Sequence, residues 1–130
     1  MKSKLLLLLF ATGLLTACDP ALNLVIETSN KPNVFVTIYC NRDISSRFAT
    51  DTSNKIVHVP NDSLGNKITY WYGIGGWSPE NLSVLTQKID SVIINNSNSR
   101  LILTDKESIN TYFLKNLSGF ANSILTIKAE

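Results

Sequence analysis

Apolar and polar residues alternate in short runs along most of the chain beyond residue 21. Alternation with a period of two is typical of strands that bury one face. The pattern predicts seven strands, over residues 22–27, 33–40, 55–59, 67–74, 89–95, 100–103 and 123–128. Turn-forming residues at 28–32 predict a hairpin between the first two strands, and those at 95–99 predict another.

Two stretches have helical signals instead. Thr104 and Glu107 match a capping box, in which each side chain bonds to the other residue's backbone N–H. Apolar residues then recur at helical spacing, and a glycine follows as a terminator: Ile109, Tyr112, Phe113, Leu117 and Gly119. Ser78 and Pro79 match an N-cap and a first helical residue, and therefore predict a second, shorter helix.

Seven short strands with polar turns predict a mainly β fold. The expected architecture is a two-sheet, immunoglobulin-like sandwich with one or two short helices, and an α+β fold is the alternative. Residues 41–54 fit neither a strand nor a helix, being long, polar and mixed in charge. A loop of that length is often functional or mobile.

The N-terminus has the three parts of a secretory signal. Lys2 and Lys4 precede an uncharged, leucine-rich run over residues 5–15, which is too short to span a bilayer comfortably. Leu15-Thr16-Ala17-Cys18 then matches a lipobox. This pattern predicts a signal peptide over residues 1–17, a lipidated tether over 18–21 with lipid on Cys18, and a single domain over 22–130.

Charge argues against two kinds of partner. The chain has 12 basic and 10 acidic residues, but removal of the signal segment takes away Lys2 and Lys4 and leaves a formal net charge of zero. No basic stripe remains, so we expect neither nucleic acid as a partner nor electrostatic docking to a membrane.

The second cysteine, Cys40, alternates with Val36 and Ile38 on one face of a predicted strand. We expect it to be a buried and inert thiol without a disulfide partner.

His58 is the only histidine, and no metal-ligand spacing, nucleophile elbow or carboxylate pair accompanies it. The sequence therefore predicts no catalytic residue, no metal and no cofactor. The glycines of the 73–76 segment are expected to bend the chain and not to hold a phosphate.

Aromatic residues give the best candidate for a binding site. If Tyr70 and Tyr72 face the core, Trp71 points outward, and an exposed Trp71 near Trp77 could stack on a sugar ring or contact a protein. Tyr72 is the third candidate binding residue of this cluster. The alternative, which we favour, is that these side chains pack inside the domain, with Trp71 covered by the 41–54 loop or by a helix.

Several of these features together resemble small uncharacterised lipoproteins of Bacteroides-type bacteria. They are the lipobox, the 27–32 turn leading into Val34-Phe35-Val36, the segments Tyr72-Gly73-Ile74-Gly75-Gly76-Trp77 and Ile89-Asp90-Ser91-Val92-Ile93, and the late capped helix before a final strand. The resemblance implies a lipid-anchored envelope protein with a sandwich-like domain and no assigned activity. The expected location is the outer membrane, with its periplasmic or surface face left open. The resemblance also implies O-glycosylation at Ser63, within Asp62-Ser63-Leu64.

The expected function is a non-catalytic interaction or accessory module. Its expected partners are the membrane, through the covalent lipid, and another envelope protein or a glycan. The alternative is a carbohydrate- or peptide-binding surface lipoprotein that uses exposed aromatics, and a small envelope hydrolase has the least support.

Overall fold

The computed structural model describes residues 19–61 and 66–130. The predicted signal peptide, Cys18 and Ser63 lie outside these ranges. The strands of the described part are β1 (Ala21–Thr28), β2 (Phe35–Cys40), β3 (Lys55–Pro60), β4 (Lys67–Ile74), β5 (Ile89–Asn95), β6 (Arg100–Leu103), β7 (Leu117–Ser118) and β8 (Ile124–Ala129). The helices are α1 (Pro79–Gln87) and α2 (Lys106–Lys115), and a short 3₁₀ turn covers Phe120–Asn122.

These strands form two four-stranded sheets that pack face to face. The β1 sheet has the order β4-β1-β8-β7, and the β2 sheet has the order β3-β2-β5-β6. Strands β1 and β8 are parallel, whereas the other described pairs are antiparallel. The prediction of a mainly β, two-sheet sandwich with few helices is confirmed.

Strand alternation builds the core between the sheets. Val36, Ile38 and Cys40 point inward from β2, while Leu24 and Ile26 point inward from β1, and all five are buried. The helices add four buried apolar side chains: Leu82, Leu85, Ile109 and Phe113. Burying one such side chain stabilises a fold by about 1.5–3 kcal/mol. Neither helix of residues 19–61 and 66–130 is long and apolar enough to cross a membrane.

The predicted hairpin at residues 28–32 is wrong. Strand β1 lies between β4 and β8 and has no free edge for β2, so the segment crosses from one sheet to the other. Turn-rich composition marks a reversal of the chain, but it does not show which strand becomes the partner. The hairpin at 95–99 is confirmed, with the Asn96 N–H donating to the Ser99 carbonyl at 2.8 Å.

Both predicted helices are present, and one begins differently from the prediction. Ser78 caps α1 and accepts a hydrogen bond from the Asn81 N–H at 3.1 Å, as expected. At α2 the N-cap is Asp105, which accepts from the Ser108 N–H at 2.7 Å, so the capping box at Thr104 is wrong. A carboxylate is a charged acceptor and is favoured at the positive end of a helix.

The end of α2 also differs from the prediction. The helix stops at Lys115 with Asn116 as its C-cap, and Leu117 begins β7 instead of extending the helix. Gly119 has φ +79° and belongs to the turn that follows β7. The spacing from Phe113 to Leu117 is helical, but Leu117 pairs with Leu125 of β8, and this strand pairing overrides the helical pattern.

Candidate functional site

Trp71 lies on the outer face of the β1 sheet. Its backbone pairs with Asn23 of β1, and Asn23 pairs in turn with Ile124 of β8. The side chain of Trp71 is 61% exposed, while Tyr72, the next residue, is buried. Alternation along β4 therefore points Trp71 outward, and the expectation that a loop or a helix covers it is wrong.

Trp77 is a core residue. Its side chain is 6% exposed, its indole N–H donates to the Asn23 carbonyl at 3.0 Å, and its ring centroid lies 5.1 Å from that of Tyr72. The Tyr72 hydroxyl donates to the Ile44 carbonyl, and burial raises the pKa of that hydroxyl. The three predicted binding residues therefore form no common exposed surface, because only Trp71 faces solvent.

The chain enters the fold beside Trp71. The Gly75 N–H donates to the Pro20 carbonyl at 2.8 Å, and Ala21 pairs with Ile74. Ile74 is 69% exposed at this strand end. Gly75 has φ +103°, which favours glycine, and its N–H is used within the fold. The glycines of the 73–76 segment therefore bend the chain, as the sequence predicts.

The turn at residues 119–123 is joined to the same end of the β1 sheet. The Trp77 N–H donates to the Asn122 carbonyl at 3.0 Å, and the Asn23 N–H donates to the Ser123 carbonyl at 2.9 Å. Phe120, in this turn, is 77% exposed. A Cβ on Gly76 would lie 2.0 Å from the Ala121 carbonyl oxygen, so the two loops touch through their backbones.

Trp71, Ile74 and Phe120 are the exposed large apolar residues at the end where the chain enters, and we call them the entry surface. The opposite end of the β1 sheet is charged. There Glu27 pairs with Lys67 on one side and with Lys128 on the other. The outer face of this sheet is therefore apolar near residue 20 and charged at the far end.

The outer face of the β2 sheet forms a second open surface. Ile56 is 65% exposed, Ile102 is 52% exposed and Tyr39 is 40% exposed. The strand register places eleven residues on this face: Phe35, Thr37, Tyr39, Ile56, His58, Pro60, Ser91, Ile93, Asn95, Arg100 and Ile102. None of these eleven residues carries a carboxylate, and their one fixed charge is Arg100 at the end of β6. The exposed carboxylate of Asp90 lies next to Ser91, at the bulge in β5.

Cys40 and His58 do not form a catalytic pair. Cys40 is 2% exposed, and burial, assisted by the negative charges of Asp90 and Asp43, raises the pKa of its thiol to about 12. A thiol with that pKa stays protonated and is a weak nucleophile. His58 lies on the outer face of β3, with Nδ1 2.8 Å from the Thr37 hydroxyl. No group of three or more metal-ligating side chains occurs within residues 19–61 and 66–130.

Lys88 is a buried polar residue that the sequence analysis did not single out. Its side chain is turned into the 41–54 loop, where Nζ donates to the carbonyls of Ser46 at 3.1 Å, Arg47 at 3.4 Å and Ala49 at 3.5 Å. Burial lowers the pKa of this ammonium. Three carbonyls on one ammonium hold the loop against the end of α1, so Lys88 has a structural role.

An ion-pair cluster holds the other side of the same loop. Lys55 Nζ lies 3.3 Å from Asp43 Oδ2 and 3.0 Å from Asp51 Oδ2. A backbone N–H from Ser53 and the contact with Lys55 lower the pKa of Asp51 to about 2. The 41–54 loop is irregular, as expected, and these contacts attach it to β3.

Comparison with protein families, curated proteins and solved structures finds no match to this chain. We therefore infer a function from the sequence pattern and from the two open surfaces.

Proposed function

We propose that this chain is a lipoprotein of the bacterial cell envelope, attached through Cys18, and that its sandwich domain binds another envelope protein without catalysing a reaction. The observation that carries the proposal is the position of the first strand. Strand β1 begins at Ala21, three residues after the cysteine of the lipobox, and Pro20 is already bonded to Gly75.

The outer face of the β2 sheet is the surface that supports binding to a protein. Exposed apolar side chains on a surface of low charge are typical of the buried centre of a protein–protein interface. Ile56 and Tyr39 are directly paired across β3 and β2, and Ile93 and Ile102 are paired across β5 and β6. A partner that covers this face must itself be apolar and nearly uncharged where it makes contact.

The alternative functions have less support from the geometry. A sugar site built on paired indoles would need Trp77 beside Trp71 at the surface, but Trp77 is bonded into the core. A hydrolase would need an activated nucleophile, and the Cys40 thiol has a raised pKa and lies on the inner face of β2.

The anchor is tested by labelling cells with an alkyne analogue of a fatty acid. We expect the wild-type chain to take up the label and the Cys18→Ala variant to lose it. Cys40→Ala is the matched control, because it removes the other cysteine and should leave labelling unchanged. Equal labelling of Cys18→Ala and the wild type would refute attachment at Cys18.

The binding face is tested by photo-crosslinking in intact cells. A photoreactive residue is placed at Ile56 or Ile102 and, as a control, at Glu80, which is exposed on α1. We expect one discrete adduct with a second protein from the first two positions and none from Glu80. An adduct with twice the mass of the chain would show self-association instead, and the lack of any adduct would contradict a protein partner.

A further inference from the structure

The covalent chain limits the distance between the fold and the predicted lipid. Pro20 is fixed by its hydrogen bond to Gly75, and Cys18 precedes it by two residues. Consecutive Cα atoms are about 3.8 Å apart, so the Cα atom of Cys18 lies within about 8 Å of that of Pro20. If Cys18 carries acyl chains in a bilayer, this end of the sandwich is held at the membrane surface.

The side chains exposed at this end are suited to contact with lipid. Trp71, Ile74 and Phe120 are between 61% and 77% exposed. Indole rings favour the boundary between the headgroups and the hydrocarbon, and phenylalanine and isoleucine favour burial below it. In solution these side chains would remain in contact with water, at a cost that grows with their apolar area.

Hydrogen bonds connect the three segments that carry the entry surface. Trp77 joins the start of β1 to the 119–123 turn through its bonds to Asn23 and Asn122. Ile74 pairs directly with Ala21, the first residue of the fold. The backbone segments that carry these three side chains are therefore linked to the point where the chain leaves toward Cys18.

The distribution of charge agrees with this orientation. The segments 20–26, 68–79 and 116–126, which build this end, contain no Asp, Glu, Lys or Arg. The charged residues of the β1 sheet are at the opposite end, where Lys128 lies 3.9 Å from Glu27. Asp19, between Cys18 and Pro20, is an exposed acidic residue beside this end, and in the proposed orientation it stays in the hydrated headgroup layer. Desolvating the three segments themselves would bury no charge, whereas desolvating the far end would bury several.

We propose that the entry surface rests in the interfacial layer of the bilayer that holds Cys18, so that the domain has a fixed orientation and the outer face of the β2 sheet stays free for a protein partner. This inference rests on the proposed lipidation. Because no basic side chain lies among these segments, the contact does not need anionic lipid and is insensitive to salt.

Tryptophan fluorescence of the full lipidated chain in phosphatidylcholine vesicles tests the contact. The Trp71 signal is the difference between the wild type and Trp71→Phe, since Trp77 remains in both. We expect this signal to be quenched by doxyl-labelled lipid and to lose access to aqueous acrylamide. Moving the indole, in a Trp71→Phe, Ile56→Trp double variant, should abolish lipid quenching and restore access to acrylamide.

A matched pair of charge variants tests the orientation. Ile74 and Ile56 are 69% and 65% exposed on different sheets. We expect Ile74→Glu to reduce the lipid quenching of Trp71 and to increase its access to acrylamide, whereas Ile56→Glu should change neither. Equal effects of the two substitutions would overturn the proposed orientation.

The outcomes separate this inference from the proposed function. A chain that takes no fatty-acid label at Cys18 fails the proposed function itself. A labelled, vesicle-bound chain whose Trp71 is not quenched by lipid fails only the contact with the membrane. If Trp71 then remains open to acrylamide and its emission changes with a soluble glycan, the exposed indole is a sugar-binding residue and the membrane contact is refuted.

Discussion

Truncation to alanine should destabilise the domain strongly at Trp77 and hardly at all at Trp71. Trp77→Ala removes a ring that is 94% buried, its contact with Tyr72 and the indole hydrogen bond to the Asn23 carbonyl. It also weakens the junction between β1 and the turn at Asn122, because the same residue connects both. Trp71→Ala removes a ring that faces solvent in the isolated domain.

The expected magnitudes follow from burial. Truncating a buried tryptophan to alanine costs about 3–5 kcal/mol in the free energy of unfolding. Trp77→Phe keeps most of the ring but loses the indole hydrogen bond, which is worth about 1 kcal/mol. Trp71→Ala should stay within about 0.5 kcal/mol of the wild type. At about 4 °C per kcal/mol, Trp77→Ala should lower Tm by about 12–20 °C.

Urea unfolding followed by circular dichroism measures these differences, and intrinsic fluorescence assigns the two indoles. Trp71→Ala should leave the buried Trp77, with blue-shifted emission. A Trp77→Ala variant that loses less than about 1 kcal/mol would refute the placement of Trp77 in the core. A large loss from Trp71→Ala would show that another part of the domain covers this ring.

Three further predictions follow from buried or paired groups. In the Cys18→Ala variant the remaining thiol, Cys40, should resist maleimide in native buffer and react after denaturation, and rapid native labelling would contradict its raised pKa. An NMR titration of the Asp51 carboxyl should give a pKa of about 2. Its contribution to loop stability is therefore complete above pH 3.8, the value for a free carboxyl, and is lost as the pH falls toward 2. A titration midpoint near pH 3.8 would contradict the hydrogen bond from the Ser53 N–H. Lys88→Met should destabilise the domain by about 1–3 kcal/mol and speed amide exchange in residues 41–54, and unchanged exchange would refute its role.

Strand pattern alone predicts much of this fold. The bounds of β4, β5 and β6 agree with the alternation because each strand is flanked by clear turn or cap residues. The partner of β1 could not be predicted in the same way, since the turn at 28–32 is compatible with a hairpin and with a crossing between sheets. The parallel β1–β8 pair joins the two ends of the domain, and no local signal encodes it.

The candidate site was predicted only in part. Alternation along β4 correctly separates Trp71 from Tyr72, although the pairing of β1 with β4 has a bulge at Tyr72, between the partners of Asn23 and Leu22. Trp77 follows Gly75 and Gly76, beyond the end of the strand, so its burial depends on the 119–123 turn, which is distant in sequence. The sequence also gives no sign that Lys88 is buried against the 41–54 loop. A lysine after a helix is an ordinary residue at a helix C-terminus, and the carbonyls that it binds are about 40 positions away in the chain.

The intact mass of the protein purified from membranes decides whether Cys18 is the point of attachment. We expect a chain that begins at Cys18 and carries two or three acyl chains on that residue. A chain cleaved elsewhere, or one with an unmodified Cys18, would contradict the anchor and remove the basis for the membrane-facing orientation.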